Sequence, residues 1–178
     1  MKKKSMLLIC ALGMSLGFAG CGDSKSDNTG SAPAVTTEAQ TEAPKGTTGN
    51  WGNYEEIFIP DGMKLTGGSQ IDKEDPNSVW VQPENSMNYF LFGVSTEEQC
   101  QKDVESTKTF NKDSNPQDVT VKTGDYDWKG VAYKYNGTSD VAQLYAKIGD
   151  KVVMVRIGGY AYDSDTSKAI LGSIKLKK

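Results

Sequence analysis

The stretch Val141-Ala142-Gln143-Leu144-Tyr145-Ala146-Lys147-Ile148-Gly149-Asp150-Lys151-Val152-Val153-Met154-Val155-Arg156-Ile157 decides the fold. Its halves are short runs rich in apolar and β-branched residues, and Gly149-Asp150 between them is a two-residue hairpin signal. Side chains alternate across a strand, so Val153, Val155 and Ile157 share one face while Val152, Met154 and Arg156 share the other. The first face is wholly apolar and requires a core. The second carries a charge, so Arg156 is expected on the more open side of a sheet.

Upstream, Asp118 to Thr123 and Trp128 to Tyr135 read as two more strands, and Asn136-Gly137 marks the turn that leads into Val141. Nearer the start, Glu55-Glu56-Ile57-Phe58-Ile59 is a strand ended by Pro60-Asp61-Gly62, where Pro removes a ladder donor and Gly supplies turn geometry. Val79 to Gln82 is a short strand and Met87 to Val94 a longer apolar one. Ser95 then opens a helix: with Glu98 three residues on it makes a capping box, and Glu97 and Glu98 suit a helix N-terminus. Cys100, Val104 and Thr107 mark the inner stripe of that helix. Asp163 or Ser164 caps a closing helix through Ala169, Ile170 and Ile174, whose spacing gives one apolar face. These elements predict an α+β fold, a mainly antiparallel sheet of about six or seven strands packed against two helices.

Three segments follow from composition. Residues 1–20 begin with Met1-Lys2-Lys3-Lys4 and continue into an apolar run from Met6 to Phe18, the layout of an export signal. Gly20-Cys21-Gly22-Asp23 stops the run before the roughly 20 apolar residues that a spanning helix needs. Residues 21–50 are dominated by Thr, Ala, Pro, Glu and Gln, with Val35 the only sizeable aliphatic. With so little apolar surface this spacer is expected to stay disordered and to span roughly 30 Å. Residues 51–178, from Trp51 onward, are one globular domain.

Gly17-Phe18-Ala19-Gly20-Cys21 resembles the lipobox of bacterial lipoproteins, with Phe18 where the pattern usually has Leu. The resemblance implies cleavage between Gly20 and Cys21 and a diacylglycerol carried covalently on the Cys21 thiol. Two acyl chains make a durable anchor. The implied location is the outer face of the cytoplasmic membrane, or a periplasmic face in a two-membrane bacterium. A second resemblance rests on Ile57-Phe58-Ile59-Pro60-Asp61-Gly62, the meander from Val141 to Ile157 and the closing Ile170-Leu171-Gly172-Ser173-Ile174. Together these look like bacterial lipoproteins of the PsbP-like α/β/α sandwich fold. Many of those proteins carry Trp after the Pro-x-Gly turn. Met63 stands there in this chain, so no role of that Trp transfers.

Loss of residues 1–20 removes three lysines and no acids, leaving 17 basic against 23 acidic side chains and a formal charge of −6. Nucleic acid is therefore not an expected partner, since phosphate binding rests on clustered Lys and Arg. The mature chain has one arginine, Arg156, and its lysines are scattered until Lys175, Lys177 and Lys178. Cys10 leaves with the signal and lipid occupies Cys21, so Cys100 is a single thiol. Its apolar helical position reads as a small buried hydrophobe.

The chain has no histidine, which removes Ser-His-Asp and Cys-His pairs and every His-containing metal site. No Ser-x-x-Lys occurs either. Asp163 and Asp165 could begin a calcium loop, but Lys168 stands where its sixth residue must be Gly, so they read as caps. Asp125 with Asp127, and Asp72 with Glu74 and Asp75, read as solvated turns. No catalytic residue, metal site or cofactor is expected beyond the lipid. Tyr160 and Tyr162 lie in a Gly-rich loop without a strand partner and form the candidate binding loop. The first functional reading is a membrane-anchored, non-catalytic binding or accessory domain that meets an envelope protein. The second is a small-ligand receptor associated with transport, and the third an unrecognised envelope hydrolase.

Overall fold

The computed structural model describes residues 43–178. The expected signal peptide, its cleavage at Gly20 and Cys21, and lipidation of Cys21 fall outside the described residues. In chain order the elements are β1 (Gly46–Trp51), β2 (Tyr54–Pro60), β3 (Met63–Gly67), β4 (Ser78–Pro83), β5 (Tyr89–Ser95), α1 (Glu97–Phe110), β6 (Gln117–Thr123), β7 (Tyr126–Tyr135), β8 (Ser139–Ile148), β9 (Lys151–Gly158), α2 (Asp165–Gly172) and β10 (Lys175–Leu176), with one 3-10 turn at Lys112–Ser114. Among the described residues the fold is α+β, mainly antiparallel, with ten strands in two sheets and two α-helices.

The larger sheet has the order β3-β4-β5-β9-β8-β7-β6 and is antiparallel throughout. Ile148 pairs with Lys151, so Gly149-Asp150 is the two-residue hairpin loop, and Gly149 has φ +64 at its first position. The apolar face of β9 is buried completely at Val153, Val155 and Ile157. It joins Phe90 and Phe92 of β5, Leu144 of β8 and Trp128 of β7 in the main core. That core is closed by Tyr54 and Ile57 of β2 and by Ile170, Leu171 and Ile174 in and just after α2. The smaller sheet, β1-β2-β10, belongs to this side. On the opposite face α1 packs Cys100 and Val104 against Val131 of β7 and Tyr145 of β8, a separate small core.

Four expectations need correction. The spacer does not extend to residue 50: Gly46–Asn50 is strand, paired from Gly46 opposite Pro60 to Gly49 opposite Ile57. An edge strand needs backbone pairing more than apolar side chains, and these glycines permit close approach. A Cβ on Gly49 would come within 2.7 Å of Ile59, and one on Gly46 within 2.7 Å of the Phe58 ring. The second correction is to the list of strands: the large sheet has seven, as expected, and β2 is the strand expected at residues 55–59, but β1, β3 and β10 were not foreseen.

Third, the cap of α1 is Thr96, whose hydroxyl accepts from the Gln99 amide at 3.2 Å. Ser95 is committed to the β ladder opposite Val152. The signal slips by one residue because Thr96 with Gln99 satisfies the same capping spacing. Fourth, Met87 stands outside β5 and is 91% exposed. At the other end of the chain, Ser164 caps α2 through the Ser167 amide. The helix stops at Gly172, where the Ser173 hydroxyl donates to the Ile170 carbonyl and accepts from the Phe58 amide.

Candidate functional site

The two faces of the large sheet are covered unequally, and that difference makes the site. Beyond α1, register brings Trp80, Leu91, Arg156, Gln143 and Val131 into one row across β4, β5, β9, β8 and β7. The neighbouring row is Ser78, Gly93, Met154 and Tyr145. Helix α1 covers the β7 and β8 ends of these rows. The remainder forms the floor of a groove of about 560 Å³, walled on one side by Thr107, Phe110 and Asn111.

The floor is apolar and open. A Cβ on Gly93 would meet nothing within 4 Å, so the groove reaches down to the backbone there. Leu91 and Met154 are half-buried on either side of it. Outside the groove floor, Trp80 and Tyr89 pack with ring centroids 5.4 Å apart. The Tyr89 ring lies against Gly158, where a Cβ would approach to 2.7 Å. Phe110 projects from the last turn of α1 with 86% of its surface exposed. A large apolar side chain so exposed beside an apolar floor marks an interaction surface more often than a lone surface hydrophobe does.

Most polar groups at the groove are already engaged. Thr107 donates to the Gln143 side-chain oxygen at 2.9 Å, and the Gln143 amide donates to the Met154 sulfur at 3.4 Å. The Asn111 amide donates to the Thr107 carbonyl, the Trp80 indole to the Gly68 carbonyl, and the Ser78 hydroxyl to Asp75. Asp103 accepts from the Gln99 amide at 2.7 Å. Arg156 is different. It is exposed, and none of the seven ion pairs among the described residues uses it. Tyr133 lies beside it: burial pushes the phenol's pKa up, and the Arg156 charge and hydrogen bond pull it partly back.

Tyr160 and Tyr162 are both half-buried and pack against the main core. Tyr160 stacks on Phe90 at 5.0 Å and 23°, and burial raises its pKa, offset in part by a hydrogen bond with Asn88. The loop is therefore chiefly a plug on the core, although both rings edge a shallower hollow of about 360 Å³ beside Ala132 and the Lys134–Asp140 ion pair. Cys100 is fully buried, and burial raises its thiol pKa. Asp125 sits in the two-residue β6–β7 turn and Asp127 is exposed on β7. Asp75 is held below the usual carboxylate range by hydrogen bonds from Ser78 and the Asn77 amide, the signature of a turn. Among the described residues no group of three or more His, Cys, Asp or Glu side chains could hold a metal ion. None of their helices is long and apolar enough to cross a membrane.

The groove was only partly legible beforehand. Alternation placed Arg156 on the open face, but Leu91 reaches it through the pairing of β5 with β9, strands distant in sequence. No protein-family model and no curated protein matches this chain. A Bacteroides thetaiotaomicron protein of known crystal structure is similar over 69% of this chain and 45% of its own, with 13% identity and a TM-score of 0.42. This chain thus spans less than half the length of that protein.

Proposed function

We propose that this protein is a non-catalytic binding lipoprotein, held at the outside of a bacterial membrane through Cys21, whose recognition surface is the groove beside α1. The observation that carries the reading is the bare half of the large sheet, where a concave apolar floor surrounds an arginine without an acidic partner. Clefts of about 300 to 1,000 Å³ with apolar linings and few polar groups are the usual form of small-ligand sites. The groove volume of about 560 Å³ falls inside that range, which favours a small ligand over a flat protein contact. The lipobox-like Gly17–Cys21 supports the tether, and the lack of histidine supports a binding role over hydrolysis.

The test has two arms. Metabolic labelling with a fatty acid should mark the wild-type chain and leave Cys21→Ser unlabelled. A thermal-shift screen of fragments against the full chain should yield hits that stabilise the wild type and lose their effect in Leu91→Asp, because a ligand of the native state raises stability by mass action. Hits that act equally on both proteins, or that depend on Tyr162 instead, would move recognition away from the groove.

A further inference from the structure

We infer that the groove takes a monoanionic carboxylate with an apolar body, its carboxylate on the Arg156 guanidinium and its body over Leu91, Gly93 and Met154. This inference rests on the binding reading above and names its ligand chemistry. The groove is chemically two-ended. Internal hydrogen bonds already engage Thr107, Gln143, Asn111 and Ser78, so they offer a ligand little. Arg156 keeps a planar fork of donors with no acidic partner, and a carboxylate matches that fork with two parallel hydrogen bonds. The Tyr133 hydroxyl beside it adds a further donor.

The rest of the surface rewards an apolar body. Leu91 and Met154 are half-buried, Gly93 leaves open depth, and Phe110 overhangs from α1. The charge balance selects a single negative charge. Arg156 is the one cation lining the groove and Asp103 lies on its wall, so a monoanion is neutralised while a phosphate dianion leaves net negative charge facing Asp103. An uncharged ligand of the same shape leaves the guanidinium without its partner.

Isothermal titration of the full chain with 4-phenylbutyrate, 4-phenylbutanol and 4-phenylbutyl phosphate tests this. The carboxylate is expected to bind saturably, and the alcohol about ten- to a hundredfold more weakly, the worth of a charge-assisted pair. Arg156→Gln should remove that preference and Arg156→Lys should keep only part of it. Arg156 is exposed, so an unchanged melting temperature is expected to show both variants folded. If either fails to fold, the carboxylate-to-alcohol ratio of the wild type still decides. Equal binding of acid and alcohol, tighter binding of the phosphate, preference retained in Arg156→Gln, or no binding by any of the three overturns the inference. Groove-dependent hits in the fragment screen that carry no negative charge would overturn the ligand class alone, whereas the absence of any groove-dependent hit would overturn the binding reading as well.

Discussion

Trp128 and Thr123 offer the sharpest test of the packing that holds the groove in place. Trp128 is fully buried on β7, and its indole N–H donates to the Thr123 hydroxyl at 3.1 Å, with Thr123 only 5% exposed. Both residues sit on the core face of the large sheet, opposite the groove. Trp128→Phe removes about two buried ring carbons, roughly 2 kcal/mol at ~0.8 kcal/mol per carbon. It also strands a buried hydroxyl, which adds about 1 kcal/mol. The expected loss is therefore about 3 kcal/mol, or on the order of 12 °C in Tm at ~4 °C per kcal/mol for a domain of this size. Thr123→Val strands the indole N–H instead and should cost about 1 to 2 kcal/mol. In the double variant neither partner is left unsatisfied, so it should be about 1 kcal/mol more stable than the two single losses predict. Urea unfolding followed by far-ultraviolet circular dichroism gives all three values. Additivity within about 0.3 kcal/mol would refute the buried hydrogen bond, since contacting residues with a real bond couple by more than that.

Other perturbations separate the roles assigned above. Thr96→Ala should cost about 1 kcal/mol through loss of the α1 cap, while Ser95→Ala stays within about 0.5 kcal/mol, measured by the same urea titration. Tyr160→Ala should destabilise by about 2 kcal/mol through loss of its stack on Phe90, yet leave binding of 4-phenylbutyrate unchanged in calorimetry. Asp75 is depressed below its ordinary 3.8, so its stabilisation is complete above that value and is lost as pH falls through the lower folded value. Asp75→Ala should accordingly lose stability at neutral pH and show a shallower fall in unfolding free energy below about pH 4. Cys100 should resist a maleimide in the native chain and react on unfolding, localised by peptide mass mapping, because its thiol is both buried and raised in pKa.

What the sequence disclosed was whatever depends on neighbours along the chain. The β8–β9 hairpin needs only alternation and Gly149-Asp150, and the closing helix needs only Ser164 and the apolar Ala169 and Ile170, although it stops at Gly172 and leaves Ile174 beyond its end. Strand β1 was missed because Gly46-Thr47-Thr48-Gly49-Asn50 carries no apolar residue, and its place is set by backbone pairing to β2 and by tight approach to Phe58 and Ile59. Strand β3 was missed because Met63 and Leu65 follow a turn so closely that they read as its continuation. The groove was missed as an assembly because Leu91 and Arg156 become neighbours only through the pairing of β5 and β9. Tyr160 and Tyr162 show the converse: their loop has no strand partner, yet both rings are half-buried against the main core, because a loop crossing the end of a sheet can cap it.

The openness of the groove follows from the dimensions of the elements. Seven strands spaced about 4.8 Å apart present a sheet roughly 29 Å wide, whereas a helix with its side chains is about 10 Å across. On the core face β2, the three-stranded sheet and α2 together close the surface. On the other face α1 works alone over β7 and β8, so β6 on one flank and β9, β5, β4 and β3 on the other lie beyond it. The flank over β6 and β7 carries Lys108 and Lys129, but both are paired, with Glu105 and Asp118 and with Glu97 respectively. Such exposed pairs contribute little to stability and leave a polar, solvated surface without a free cation. The flank over β5 and β9 is built the opposite way, with Leu91, Met154 and Phe110 in the apolar part and Arg156 without an acid. Polar replacements at those positions would be tolerated by a sheet with no further role on that side. The apolar floor there exposes surface that water solvates poorly, and a ligand with an apolar body would cover it while its acid pairs with Arg156.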